Sequence, residues 1–129
     1  MVGDRLTDGV RIAQLLASEI TGNEGGLGPL RLADADSDVE PTADGALAYR
    51  IVRGTGDGAE LVVEAYVQPD RVRVDFVVAP DAVVAAAEAA GLRVRPKAVR
   101  PPRTLVFVED GAQVKRVLPV FEAALGPSG

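Results

Sequence analysis

The chain has 129 residues, 47% of them apolar, and carries 19 Asp plus Glu against 14 Lys plus Arg for a net charge of −5. It contains neither Cys nor His, which excludes disulfides, thiolate nucleophiles, imidazole- or thiolate-ligated zinc and Ser–His–Asp catalysis. The length fits one domain, residues 1–129, large enough to bury a core without a disulfide or metal staple.

The first segment, "MVGDRLTDGVRIAQLL", is interrupted by Asp4, Arg5, Asp8 and Arg11, so no signal-peptide core is expected. No apolar run nears the roughly 20 residues that span a bilayer. The expectation is therefore a soluble cytoplasmic protein. Leu6, Val10, Ala13, Leu16, Ala17 and Ile20 recur at helical spacing and predict a helix over residues 5–21, with Thr7 or Asp8 as its cap. "TGNEGGLGPL" stops that helix, and residues 21–46 read as an irregular acidic connector.

Three strands follow, at 47–53, 60–67 and 71–78, the first two joined by "GTGDGA", which is a hairpin turn by composition. Val72, Val74, Phe76 and Val78 alternate with Arg71, Arg73 and Asp75, the pattern of a half-buried strand. "PDAVVAAAEAAG" (80–91) predicts a short helix with Pro80 and Asp81 in its first turn and Gly91 as its C-terminal stop. Strands at 92–95 and 104–109 flank a proline- and arginine-rich loop, 96–103. A last helix, 111–126, is expected to kink or divide at Pro119.

The order α-β-β-β-α-β-β-α predicts a two-layer α+β domain, with a five-stranded, mainly antiparallel sheet and its helices on one face. That element order is similar to the secretion-chaperone-like fold, whose members are small, often acidic homodimers that bind a partner chain. "DRLTDGVRIAQLLASEI" (4–20) and "GLRVRPKAVRPPRTLVFVEDGAQVKR" (91–116) resemble segments of a small haloarchaeal family of uncharacterised proteins. This resemblance implies a halophilic cytoplasm and no particular activity. Twelve Arg against two Lys, with abundant Asp, Ala and Val, fit a GC-rich and salt-loving host.

The basic ribbon "RVRPKAVRPPR" (93–103) stands out in an acidic chain. Strand parity puts Arg50, Arg73, Arg93 and Arg95 on the face opposite the helices, together with Glu64, Tyr66 and Asp75. The loop adds Lys97, Arg100 and Arg103. These seven cations form a candidate site for an anion or an acidic partner, since a guanidinium presents a planar fork to carboxylate or phosphate. The alternative is an exposed sheet face whose arginines pair with the chain's own carboxylates. Val52, Val62, Tyr66 and Val77 share the uncovered parity and are the candidate dimer face.

Other motifs carry less. Asp34, Asp36 and Asp38 match the start of a calcium loop, but Val39 stands where that loop needs Gly and Gly45 where it needs Glu. Gly54, Gly56 and Gly58 lie between strands rather than before a helix, so a turn outweighs a phosphate cradle. Glu64 and Asp75 are the carboxylates positioned to approach one another, the arrangement that acid–base work would need. No catalytic residue, metal site or cofactor is assigned. The functional expectation is a non-catalytic protein-binding or assembly module, acting as a homodimer, whose basic face and loop take an acidic partner. A nucleic-acid or polyanion-binding regulator using residues 93–103 is the alternative.

Overall fold

The computed structural model describes residues 7–22, 27–54, 56–100 and 102–126. Helix α1 runs over Gly9–Gly22, and the expected start at residues 5 and 6 lies outside the described residues. Asp8 is the cap: its Oδ1 accepts from the Arg11 N–H at 3.2 Å, and its carbonyl accepts from the Ile12 N–H.

The sheet has six strands rather than five. They are β1 Leu30–Ala33, β2 Ala46–Arg53, β3 Glu60–Gln68, β4 Arg71–Phe76, β5 Arg93–Lys97 and β6 Arg103–Val108. Their spatial order is β1-β2-β3-β4-β6-β5, with every neighbouring pair antiparallel. The extra strand, β1, lies inside the segment read as an irregular connector, so the order becomes α-β-β-β-β-α-β-β-α. A four-residue strand is too short to show a pattern on its own. Pairing with β2 over Leu30↔Arg53 to Ala33↔Arg50 makes it, with Leu30 buried as its anchor.

The expected "GTGDGA" hairpin turn holds a 3₁₀ segment, Gly56–Gly58, where Ala59 N–H donates to the Gly56 carbonyl. Helix α2 covers Pro80–Ala89 and ends as its glycine indicates. Gly91, at φ +73°, allows its own N–H to reach Glu88 and the Leu92 N–H to reach Ala87, both at 3.0 Å. Leu92 is thereby part of the helix cap, and β5 begins at Arg93 and runs on through Pro96, later than expected.

Helix α3, Gly111–Leu125, is continuous through Pro119. Asp110 caps it by accepting from Gln113 N–H at 3.0 Å. The expected division fails because Pro119 lies on the exposed side beside exposed Lys115 and Arg116. The carbonyl that loses its helical partner there faces water, which can satisfy it.

All three helices pack on one face of the sheet. Val63, Ala65, Val67, Val72, Val74, Phe76, Val106 and Val108 are fully or almost fully buried beneath them. Phe76 and Phe121 meet with ring centroids 5.0 Å apart. Tyr49 ties β2 to α1 by donating its hydroxyl proton to the Ala13 carbonyl at 2.8 Å, and burial pushes that phenol well above its usual pKa. Among the described residues the opposite face of the sheet bears no helix, and most of the candidate residues lie there.

Candidate binding surface

Antiparallel pairing brings the polar positions of four strands into one band across the open face. Glu64 on β3 lies directly opposite Asp75 on β4, Arg50 on β2 is paired with Glu64, and Tyr66 is paired with Arg73. Two like charges directly opposite are unfavourable, and both carboxylates are buried, at 6% and 4% exposure. Three arginines offset this. Arg50 Nε donates to Glu64 Oε2 at 2.8 Å, Arg73 Nε to Asp75 Oδ1 at 2.8 Å, and Arg103 Nη1 to Glu64 Oε1 at 2.6 Å. Arg103 also lies 3.5 Å from Asp75 Oδ2, so one guanidinium serves both acids.

Further groups fix each arginine. Asp34 ends β1 in a left-handed conformation, φ 53°, that a short polar side chain tolerates, and its Oδ2 accepts from Arg50 Nη1 at 2.8 Å. Arg73 donates to the Asp44 carbonyl at 3.0 Å and stacks over Tyr66, 4.6 Å from the ring centre. Tyr66 donates to Glu64 Oε1 at 3.1 Å. Burial pushes the Glu64 carboxyl pKa up, but hydrogen bonds from Arg50, Arg103 and Tyr66 outweigh that and hold it below the usual carboxylate range. Burial first, and then the Glu64 charge, pushes the Tyr66 phenol up. Three guanidiniums thus face three carboxylates, and the band is close to neutral.

The seven candidate cations therefore divide into two groups. Arg50, Arg73 and Arg103 belong to this internal network, each with a carboxylate within 2.8 Å. Arg93 is 66% exposed and makes one loose contact, 3.5 Å to Glu109, whose other partner is Arg71 at 2.8 Å. Arg95, Lys97 and Arg100 are exposed and have no carboxylate within 4 Å among the described residues. Arg95 and Lys97 project from the outermost strand on the open face, opposite Leu105 and Arg103. Between Lys97 and Arg100 lies Val99, the one large apolar side chain that is exposed among the described residues. A cationic margin with an apolar tip remains, at one edge of the sheet.

The four candidate dimer-face residues are not contiguous. Val62 is fully buried in its own chain at an irregularity where Ile51 pairs with Val63 and Val52 with Leu61. Val52 and Val77 are half-buried near that end. Tyr66 is four residues further along β3, about 13 Å away, with Glu64 between. The acidic run 34–45 is built for turns: Asp36 Oδ1 accepts from Asp38 N–H, and Asp34 faces Arg50. No group of three potential ligand side chains suited to a metal occurs among the described residues.

Sequence parity located Arg50, Glu64, Tyr66, Arg73 and Asp75 on one face. It placed Arg71 on the same parity without giving it a role, and it missed Asp34 and Glu109, the acids that complete the ion pairs at both flanks. The chain belongs to a family of unknown function, DUF7993, which matches residues 1–128. No curated protein and no solved structure matches it. No helix of the described residues is long and apolar enough to cross a membrane.

Proposed function

We propose that the chain is a non-catalytic binding or assembly module, a cytoplasmic homodimer, that takes an acidic protein partner on its β5 margin. The observation that carries this reading is the separation of charge. In a chain of net charge −5, the central arginines are spent on buried carboxylates, whereas Arg95, Lys97 and Arg100 stand exposed around Val99. Cations without internal partners beside an exposed apolar tip are what an acidic chain would meet. The pairing of two copies is supported by the open face, where Val52, Val77, Leu105 and Phe107 are half-buried and no helix of the described residues lies over them. An excess of acidic residues suited to a salt-loving host is consistent with this role.

The test is fluorescence polarisation with a labelled eight-residue peptide of alternating Glu and Val, and with duplex DNA of equal charge. The peptide should bind at low salt and bind at least about tenfold more weakly to Arg95→Glu/Lys97→Glu/Arg100→Glu, since like charges would then face one another. Tighter binding of the duplex, with a steep salt slope abolished in the same variant, would establish a polyanion-binding regulator instead. Sedimentation velocity checks the pairing. A dimer at both 0.1 M and 2 M NaCl is expected, converting to monomer in Val52→Asp/Val77→Asp; a monomeric wild type at both would remove the homodimer from the proposal.

A further inference from the structure

Resting on that reading of the margin, we infer that β5 accepts its acidic partner as an added β-strand, with acidic and apolar residues alternating. Among the described residues β5 is the last strand of the sheet and is bonded to β6 on one side only. Its ladder with β6 is unbroken from Arg93↔Phe107 to Lys97↔Arg103, although Pro96 lies within it and has no N–H to donate. A proline can occupy a strand without cost to the ladder when its nitrogen faces away from the neighbouring strand. The odd positions, 93, 95 and 97, therefore bond to β6, and the even ones turn their backbone groups to the open edge. Leu92, the preceding even position, fits this parity, because its N–H is already spent on the Ala87 carbonyl. What the edge offers is the N–H and carbonyl of Val94 and the carbonyl of Pro96.

These groups, with the side chains beside them, specify the guest. A strand laid antiparallel along β5 would exchange two hydrogen bonds with Val94 and donate a third to Pro96. Its residue opposite Val94 shares the helix-covered face, where Val94 is half-buried against the core, so an apolar side chain fits there. The residues on either side fall on the open face, beside Arg93, Arg95 and Lys97, where carboxylates fit. A second copy of β5 is excluded as the guest by the same pattern, since it would set three cations against three cations. The missing proline donor also shortens the stretch that two edges could share.

The measurement compares three forms of the labelled alternating Glu–Val octapeptide: unmodified, N-methylated on every Val, and N-methylated on every Glu. In the register described, valine N–H groups point at β5 and glutamate N–H groups point to solvent. The valine-methylated peptide should bind about tenfold or more weakly, from the loss of its donors to Val94 and Pro96, while the glutamate-methylated one matches the parent. If both methylated peptides bind like the parent, charge alone is read and strand addition is overturned, with the acidic-partner proposal left standing. Equal binding of a peptide with four Glu followed by four Val would overturn the alternation. No binding of the unmodified peptide would overturn both this inference and the proposal beneath it.

Discussion

Gly9→Ala is expected to destabilise the fold by roughly 3 kcal/mol, the range of overpacking against an immovable neighbour. Gly9 opens α1 and is buried where the helix meets the β3–β4 turn. Its N–H donates to the Pro69 carbonyl at 3.1 Å. A methyl group on its Cα would collide with the Gln68 carbonyl and would come within 2.8 Å of the Arg71 carbonyl. Both obstacles are backbone atoms, held by the ladder between Gln68 and Arg71. They cannot swing aside as a side chain tip would, so either α1 lifts or the turn opens. Gly22→Ala, at the other end of the same helix, is the comparison: its added Cβ meets nothing within 4 Å, so the change should stay under about 1 kcal/mol. Urea melts of the two variants decide the matter. Equal, small effects would show that α1 does not need its close approach to the turn.

Arg103→Ala is expected to cost about 2 kcal/mol at pH 7. Its removal takes the 2.6 Å hydrogen bond from Glu64 and the second, more distant cation from Asp75, leaving two directly opposed, buried carboxylates with only Arg50 and Arg73 beside them. Removing one partner of a buried pair typically costs 3–5 kcal/mol; the lower figure allows for an Arg103 side chain that is 30% exposed. The pH dependence has a definite sign. The folded state holds the Glu64 pKa below its unfolded value, so its contribution is complete above the ordinary carboxylate pKa and is lost as pH falls through the lowered one. With Arg103 gone, that pKa rises and the loss begins at a higher pH. The gap between wild type and variant should therefore narrow as pH falls toward the lowered Glu64 pKa, because Glu64 takes up its proton earlier in the variant than in the wild type. Urea melts at pH 7 and pH 3.5 measure this, with Arg95→Ala, on the exposed margin, expected to stay within about 0.5 kcal/mol. A gap that stays constant across that range would mean that Arg103 contributes packing rather than charge.

Much of this architecture was legible because strand alternation is a strict code. Val72, Val74 and Phe76 face the helices and Arg73 and Asp75 face away, as period two demands. Gly91 and Asp8 marked helix ends because each has a specific local job, a left-handed backbone in one case and an acceptor for exposed N–H groups in the other. What remained hidden depends on distant residues. β1 is a strand because β2 offers it an edge, and nothing within Leu30–Ala33 says so. Val62 has the parity of an exposed residue, but an irregularity in the β2–β3 ladder places it in the core. The seven cations looked alike in sequence. Which of them carry a carboxylate is decided by cross-strand register, and register joins Arg103 to Glu64 across 39 residues.

The same register has a kinetic side. Strands β1 to β4 form a meander over residues 30–76, in which every pairing joins strands consecutive in the chain, and β5 with β6 is a second local hairpin over 93–108. Only the β4–β6 ladder welds them, and its partners, such as Val72 and Val108, are far apart along the chain. Closing that long loop is the slow, entropically costly event, and it comes after each local piece can form. Arg103–Glu64, Arg103–Asp75 and Arg71–Glu109 all cross this weld. Until it closes, Glu64 and Asp75 lie opposite each other without Arg103, so the meander alone is an unsettled half. The ion pairs that cross the weld therefore stabilise the joined sheet and neither piece by itself, and the cationic margin belongs to the piece that the weld adds.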